Sequence, residues 1–511
     1  MSRDERQRIA RDTYDVAIIG GGVIGTFIVR ELSRYRLRTV LLEAENDVAM
    51  GATKANSGIV HGGYAESPES LRGKLCYPGR SEFPRLEQEL HFGFRVTGSL
   101  VLCLERAGMP RLEALLEQGR RNGVPDLSLL SREEVLGIEP RVNREVVGAL
   151  YCSGAGVASP YELAIALAEN AVANGVEIRL NSRVERIESG EEVFALTVAV
   201  RSDAGTDTVE RTVFARYAVN AAGVYADRIA RMIGDDGFTI YPRKGQYILF
   251  ARGTGGIVKN VLFQMPTRKG KGVLVTPTYH GNLMIGPDAQ DSTDPSDTGT
   301  DLTGIRAILE RARLTVDEID LTKFLRTFSG VRAVSSTGDF VIAPSRPYRR
   351  FIHAAGIQSP GLTASPAIAR MVIELLAEQG LPVGEAARPE HLNPGFTPYR
   401  KPIIRPKAMT MKEAVLRTGL PVGDPDRIVC RCEQVTEGEI VDALSRSIPV
   451  TSTDGVKRRT RAGMGWCQGS FCRPRVAELL KVHLGIDVPP VQDIEHSGVN
   501  RVEKEDLLEG L

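Results

Sequence analysis

The chain has almost no charge imbalance: 65 Lys and Arg face 64 Asp and Glu in 511 residues, a formal net charge of +1. That balance removes any general electrostatic reason to expect nucleic acid or an anionic membrane as a partner. Long hydrophobic runs are missing too; none approaches the roughly 18 apolar residues of a membrane span. The first fifteen residues are charged and lack the apolar core of a secretory signal. The expectation is a cytoplasmic protein without a span of its own, at most peripheral to a membrane complex. Cysteine is scarce and unevenly placed. Of seven, Cys76, Cys103 and Cys152 are scattered, whereas Cys430, Cys432, Cys467 and Cys472 crowd the last sixth. An odd total without a signal argues against a disulfide scaffold and for a metal site. At this length, two or three domains are expected.

What is present is organised around residues 14–43. Asp15 to Ile19 reads as a short, buried, β-branched strand. Gly20, Gly22 and Gly25 follow as G-x-G-x-x-G, a helix runs from about Val23 to Arg34, and a second strand, Arg38 to Leu42, ends at Glu43. The glycines permit a tight turn and close backbone approach to a pyrophosphate, which then meets the free N–H groups of the helix start. Glu43, 18 residues after Gly25, can accept hydrogen bonds from a ribose. Strand, glycines, helix, strand and acid in this order predict dinucleotide binding.

Residues 51–64 are too rich in glycine and small polar residues for a regular element and can wrap a cofactor; they carry Thr53, Asn56, Ser57 and His61. Imidazole titrates near neutral pH, so His61 is a candidate base, against the plainer reading of a loop histidine. Arg72 and Lys74 read as a solvated helix face. A strand is expected over 95–104, a helix over 110–122, and a capping box at Ser131–Glu134. Ser159-Pro-Tyr-Glu162 predicts a helix to about Asn174, capped by Ser159 and Glu162. A strand over 176–180 and a polar ladder over 184–218 lead to the small-residue turn at Gly223, a second approach to the cofactor. From about 240 to 335 strands dominate, with Arg243, Lys244, Tyr247, Tyr279, His280 and Arg332 between them. Arg332 is the candidate ligand for a carboxylate or phosphate, because a guanidinium binds such groups bidentately. Phe351 to Ala355 is a strand, and a helix from Ala364 to Ala377 follows the loop at 356–363.

Residues 14–375 resemble the D-amino-acid-oxidase-like flavoprotein superfamily. Asn56–Gly63, Pro68–Cys76 and Gln358–Thr363 are similar to the L-2-hydroxyglutarate dehydrogenase branch. Gly51-Ala-Thr53, Pro242–Gly245 and Ser329-Gly-Val-Arg332 resemble FAD-dependent glycerol-3-phosphate dehydrogenase equally well. The glycerol-phosphate enzymes usually carry Gly-Gly-Lys in the C-terminal flavin loop, where this chain reads Gln358-Ser-Pro-Gly361. The resemblance implies FAD contacts from Gly20, Gly22, Gly25, Glu43, Val184 and the loop Gly361, Leu362 and Thr363, with Arg332 on the substrate anion.

Residues 376–425 are proline-rich and poor in apolar runs, which predicts a linker. Beyond it, Cys430-x-Cys432 and Cys467-x4-Cys472 each stand beside a predicted helix start, marked by Thr436-x-x-Glu439 and Pro474, where thiolate charge is favoured. Four thiolates hold Zn²⁺ or a [2Fe–2S] cluster, and C-x-C with C-x4-C is a poor match to zinc knuckles. The tail resembles the bacterioferritin-associated-ferredoxin-like [2Fe–2S] domain. Cys430-Arg-Cys-Glu433 and Lys457–Gly469 closely resemble the A subunits of anaerobic glycerol-3-phosphate dehydrogenases.

The fold class expected is α/β (α+β). A Rossmann-type FAD-binding domain (14–95, 150–235, 340–380) is interleaved with an antiparallel-sheet substrate domain (96–149, 236–339). A linker (381–425) and a small helical iron–sulfur domain with four cysteine ligands (426–511) follow. The favoured reaction is oxidation of the secondary alcohol of glycerol 3-phosphate, with a base taking the hydroxyl proton, hydride passing to flavin N5 and electrons leaving through the cluster. His61 is the first candidate base, with His280 and His353 behind it. An L-2-hydroxyacid dehydrogenase and an electron-transfer subunit with an idle substrate site are the alternatives. The expected partners are a small anionic hydroxylated substrate and a second flavoprotein or electron-acceptor subunit.

Overall fold

A computed structural model describes residues 12–190, 192–201, 207–265, 272–404, 409–488 and 499–509. The tip of the expected ladder at 202–206, linker residues 405–408 and tail residues 489–498 lie outside the described residues, as do the first eleven.

The first sheet grows from the glycine-motif strand Tyr14–Ile19. Thr39–Leu42 and Glu177–Arg179 extend it in parallel on one side, and the C-terminal half of Thr208–Asn220 pairs with it on the other. Thr208–Asn220 serves two purposes. Its first half closes an antiparallel meander with Phe194–Arg201 and Ser182–Ser189; its last residues also pair in parallel with Phe351–Ala355. Parallel strands need covered faces. The helices Val23–Leu32, Pro160–Ala173 and Gly361–Glu378 supply one cover, through a core that includes Phe27, Ile28, Leu163, Leu167, Ile368 and Val372.

The second sheet is mostly antiparallel and is built on the long antiparallel pair of Ile240–Arg252 with Phe324–Ser335. It continues through Asn282–Gly286, Leu274–Pro277, Val261–Gln264, Ser99–Cys103 and Gly148–Cys152 to Leu127–Ser131. Helix Leu302–Arg313 covers one face with Ile305, Ile308, Leu309 and Ala312, the spacing of a single apolar stripe. The expected strand over 95–104 is two strands, broken at Gly98 with φ +74°: Phe94–Val96 joins Ile59–Val60 and Gly156–Ala158 in a small third sheet, and Ser99–Cys103 joins the substrate sheet. Strand Gly148–Cys152 runs across the expected boundary at 150 and stays with the substrate sheet.

The expected linker is fastened down rather than loose. Arg400 is buried; its Nε donates to Glu169 at 2.6 Å and its Nη1 to the Leu90 carbonyl at 3.3 Å. The tail folds as helices Glu437–Leu444, Thr453–Thr460 and Arg473–Leu484 around Val435, Ile440, Val456, Val476 and Leu480. The capping boxes at Ser131/Glu134 and Thr436/Glu439 form as expected. Residues 499–509 leave this helical unit. Val502 and Leu507 are apolar and find a core under the substrate sheet, so the expected tail domain 426–511 divides there.

Candidate active site and cluster centre

A cavity of about 1920 Å³ lies between the two sheets and reaches the tail. At its nucleotide end the three glycines do different jobs. Gly20 adopts φ +109°, and a Cβ there would lie 2.5 Å from the Ala221 carbonyl oxygen. A Cβ on Gly25 would lie 2.0 Å from the Gly20 carbonyl, so this glycine lets helix and turn touch. A Cβ on Gly22 would meet only Thr53 Oγ1, at 3.3 Å; its missing side chain leaves room in the cavity itself. Gly22 has no capping side chain, and Thr53 supplies one from the next loop by accepting from Val23 N at 3.0 Å.

Glu43 is buried, takes a hydrogen bond from Gly21 N and accepts from Glu45 N at 2.9 Å. Burial pushes its carboxyl up to about 7, against the pull of those backbone donors. Asn56 closes its own loop, donating to the Ala52 and Thr53 carbonyls and accepting from Gly58 N; it shapes the cavity wall with Ser57. Val184, at a bulge in its strand, and Gly223, at φ +58°, line the cavity beside Glu43, and Gly361 and Leu362 close it at the far helix start. Thr363 lies behind that wall, where its Oγ1 accepts from His61 N at 2.9 Å and donates to the Ile59 carbonyl at 3.3 Å. A turn of glycines, a buried acid, a capped helix start and a long cavity fit FAD in shape and donor chemistry.

His61 lines the cavity, with Nε2 3.4 Å from Ser359 Oγ and its ring 5.6 Å from that of Phe263. Arg332 enters from strand Phe324–Ser335 of the substrate sheet and donates to the Asp288 carbonyl at 2.7 Å. Two paired glycines make its place. A Cβ on Gly245 would lie 2.2 Å from Arg332 Nη2, and one on its partner Gly330 would lie 2.1 Å from the Ala55 carbonyl. The sheet therefore presses on the 51–57 loop at the point where the arginine emerges. Strand alternation sorts the other candidates. Arg243 and Tyr247 line the cavity, but Arg243 is engaged by Asp291 at 2.7 Å, and Lys244 turns away to Asp297 at 2.9 Å.

His280 lines the cavity, and its Nε2 is 2.7 Å from Glu162 Oε1. That contact corrects the expected cap at Ser159. The helix does begin at Pro160, but the Ser159 side chain makes no capping bond and the Glu162 carboxylate is held by the histidine. His353 is the clear correction. It is buried away from the cavity, beside Asn220 Nδ2 at 3.2 Å and Asp235 Oδ2 at 3.2 Å, among the rings of Phe238 and Phe351. Burial holds its pKa below the usual imidazole value, and the residue is not part of the cavity lining.

In the tail the four thiols form two pairs, Cys432 with Cys467 at 3.7 Å and Cys430 with Cys472. The hydrogen bond from Cys472 draws Cys430 down to about 6, and the same bond raises Cys472. Two adjacent thiol pairs suit a centre in which each of two irons takes two cysteines. The tail is held against the cavity by charge. Asp47 follows the nucleotide acid closely in sequence, is buried, and receives Arg458 at 2.8 Å and Arg459 at 2.8 and 2.9 Å. Arg461 donates to Glu433 at 2.8 Å and to Asn282 of the substrate sheet at 3.3 Å. Sequence reasoning singled out the 457–469 stretch without seeing that it walls the cavity; nothing local marks a contact between residues 411 positions apart, as Asp47 and Arg458 are.

A nucleotide cradle opening on a sheet-walled cavity, with a four-cysteine unit at its rim, defines a dinucleotide-dependent redox enzyme. Residues 15–375 match the FAD dependent oxidoreductase family and residues 428–482 match the BFD-like [2Fe-2S] binding domain. The chain belongs to the FAD dependent oxidoreductase family, with FAD and a [2Fe–2S] cluster as its cofactors. It is 43% identical over 489 residues to a glycerol 3-phosphate dehydrogenase of Caloramator mitchellensis, covering 95% of this chain and 97% of that one. The L-alpha-glycerophosphate oxidase of Mycoplasma pneumoniae, solved with FAD bound, superposes with a TM-score of 0.70 at 29% identity, over 77% of this chain and 100% of that one. Human mitochondrial L-2-hydroxyglutarate dehydrogenase is 26% identical over 415 residues, covering 71% of this chain and 88% of that one. Among the described residues no helix is long and apolar enough to cross a membrane.

Proposed function

We propose that the enzyme oxidises the secondary alcohol of glycerol 3-phosphate to dihydroxyacetone phosphate and passes the electrons out through the tail. The observation that carries this reading is the 43% identity to a glycerol 3-phosphate dehydrogenase, which runs through both the flavin and the cysteine regions. When bound, FAD supplies the hydride acceptor and the [2Fe–2S] cluster a one-electron exit. In this reading Arg332 holds the anionic end of the substrate, in the room left by Gly245. His61, fixed through its backbone to Thr363, takes the hydroxyl proton as the carbinol hydride leaves. His280 is a reserve base, tied to Glu162. The 51–57 loop and the helix start at Gly361 keep water from the reacting carbon.

The electrons then need an acceptor subunit, which we place at the outer side of the cysteine loop, where Trp466 (54% exposed) and Phe471 (82% exposed) adjoin Cys467 and Cys472. The cytoplasm is the compartment this reading assigns. An L-2-hydroxyacid substrate is the second reading, favoured by the similarity to L-2-hydroxyglutarate dehydrogenase over 71% of the chain. Anaerobic titration of the flavin spectrum decides between them. Bleaching by glycerol 3-phosphate and not by L-2-hydroxyglutarate is expected. The reverse order overturns the proposal, and bleaching by neither leaves an electron-transfer subunit with an idle site.

A further inference from the structure

The cavity continues past Arg332. Arg326 lies six residues earlier on the same strand, so both side chains leave one face, about 20 Å apart at 3.3 Å per residue. The flavin loop crosses the strand between them, at the contact of Gly330 with Ala55. On the Arg326 side the cavity wall passes to the tail, and Lys457, Arg473 and Arg501 line it there.

Four half-buried cations, brought by four segments of the chain, thus face one arm of the cavity. Among the described residues no carboxylate is close enough to Arg326, Lys457 or Arg501 to form an ion pair; Asp454 and Glu503 act on them only from further away. Arg326 reaches Gln468 Oε1 with Nη1 at 3.2 Å, while its Nε is buried without a hydrogen-bond partner. Burial, and then the charges of Arg326, Arg473 and Arg501, bring Lys457 down to about 8. Gathering like charges away from water opposes folding unless an opposite charge completes the set. A guanidinium with a free edge beside an ammonium matches a tetrahedral dianion, which accepts several charge-assisted hydrogen bonds at once.

We propose that this arm is a second anion site, separate from Arg332, that binds a phosphate monoester or inorganic phosphate through Arg326, Lys457, Arg473 and Arg501. The inference does not depend on which alcohol is oxidised. The bound phosphate belongs either to incoming substrate or to a separate phosphate ester.

Calorimetry with inorganic phosphate at low ionic strength tests it, on holoenzyme carrying Arg332→Gln so that the other anion contact is removed. One phosphate per chain is expected, weakened at least tenfold by Lys457→Met and by Arg326→Gln, retained in Lys457→Arg and unchanged by Lys412→Met on the exposed helix Met411–Thr418. Absence of binding, or binding that survives both charge-removing variants, overturns the site. Unaltered protein supplies a check that folding defects cannot mimic: phosphate should slow acylation of the Lys457 amine at least fivefold, and an unprotected amine overturns the proposal too. The two sources separate in steady-state kinetics with Arg332 intact. A tenfold lower kcat/KM in Lys457→Met with kcat unchanged assigns the phosphate to incoming substrate, and an unchanged kcat/KM assigns it to a separate ester; both keep the site.

Discussion

At the nucleotide end of the cavity, the contacts are made by backbone and small side chains: Gly20 against Ala221, Gly25 against Gly20, Thr53 on the start of helix Val23–Leu32. At the tail end they are buried ion pairs: Asp47 with Arg458 and Arg459, and Glu433 with Arg461. The first end is assembled by close backbone approach, as of Gly20 to Ala221, and depends on shape. The second joins segments far apart and depends on charge. A fully paired buried ion contact adds little net stability, but removing one partner strands the other and is costly. The cradle should therefore fail by losing its ligand, and the tail by losing its place.

The largest effect should come from the cysteines. Cys432→Ser is expected to abolish the iron–sulfur centre and all turnover with a one-electron acceptor, while substrate still bleaches the flavin. Iron and sulfide analysis beside anaerobic spectra checks this. Full acceptor turnover without iron would show that electrons leave from the flavin end, and the contrast between the two ends would collapse.

Next is His61→Ala, which should slow single-turnover flavin reduction by about 10²–10⁴-fold per bound FAD if His61 is the general base. An unchanged normalised rate would make it a loop residue held by Thr363 and move attention to His280.

Asp47→Ala strands two buried arginines and should cost about 3–5 kcal/mol of tail docking in urea unfolding. Burial alone would raise the Asp47 pKa, but Arg459 and Arg458 outweigh it and hold the carboxyl below its ordinary value. The folded state thus binds the proton less readily than the unfolded one. The contribution is present above about pH 4 and fades as pH falls through that value and below. Unfolding followed from about pH 3 to pH 7 should show this acid limb in the native chain and lose it in Asp47→Ala; an identical limb in both would refute the assignment.

Smallest is Glu43→Ala, expected to weaken FAD by about 1–3 kcal/mol with the tail still docked. Fluorescence titration of the apoprotein measures it, and full flavin occupancy would remove Glu43 from the ribose contact.

Legibility followed the range of the forces involved. The strand, glycine turn and acid of residues 14–43, the boxes at Ser131 and Thr436, and the spacing of the four cysteines were all readable in the chain. Each is a requirement that neighbouring residues place on one another. His353 shows the limit. The strand that carries it was readable and the residue stood as a candidate base, yet only the packing of Asp235 and Asn220 around the ring decided that it faces away from the cavity. In the same way, Glu162 read as a helix cap until a loop more than a hundred residues later supplied His280.

The sequence by itself determined a dinucleotide fold, a cysteine-bound redox tail and the arginine that leads the substrate sheet into the cavity. Those follow from local sterics, periodicity and ligand spacing, which act along the chain. The tertiary structure decided which histidines reach the substrate space, that the expected linker is tied to Glu169, and that Lys457 and its neighbouring cations close the far wall of that space. A hydrophobic or charged pattern shows which face of an element turns inward; what that face meets depends on where distant segments come to rest.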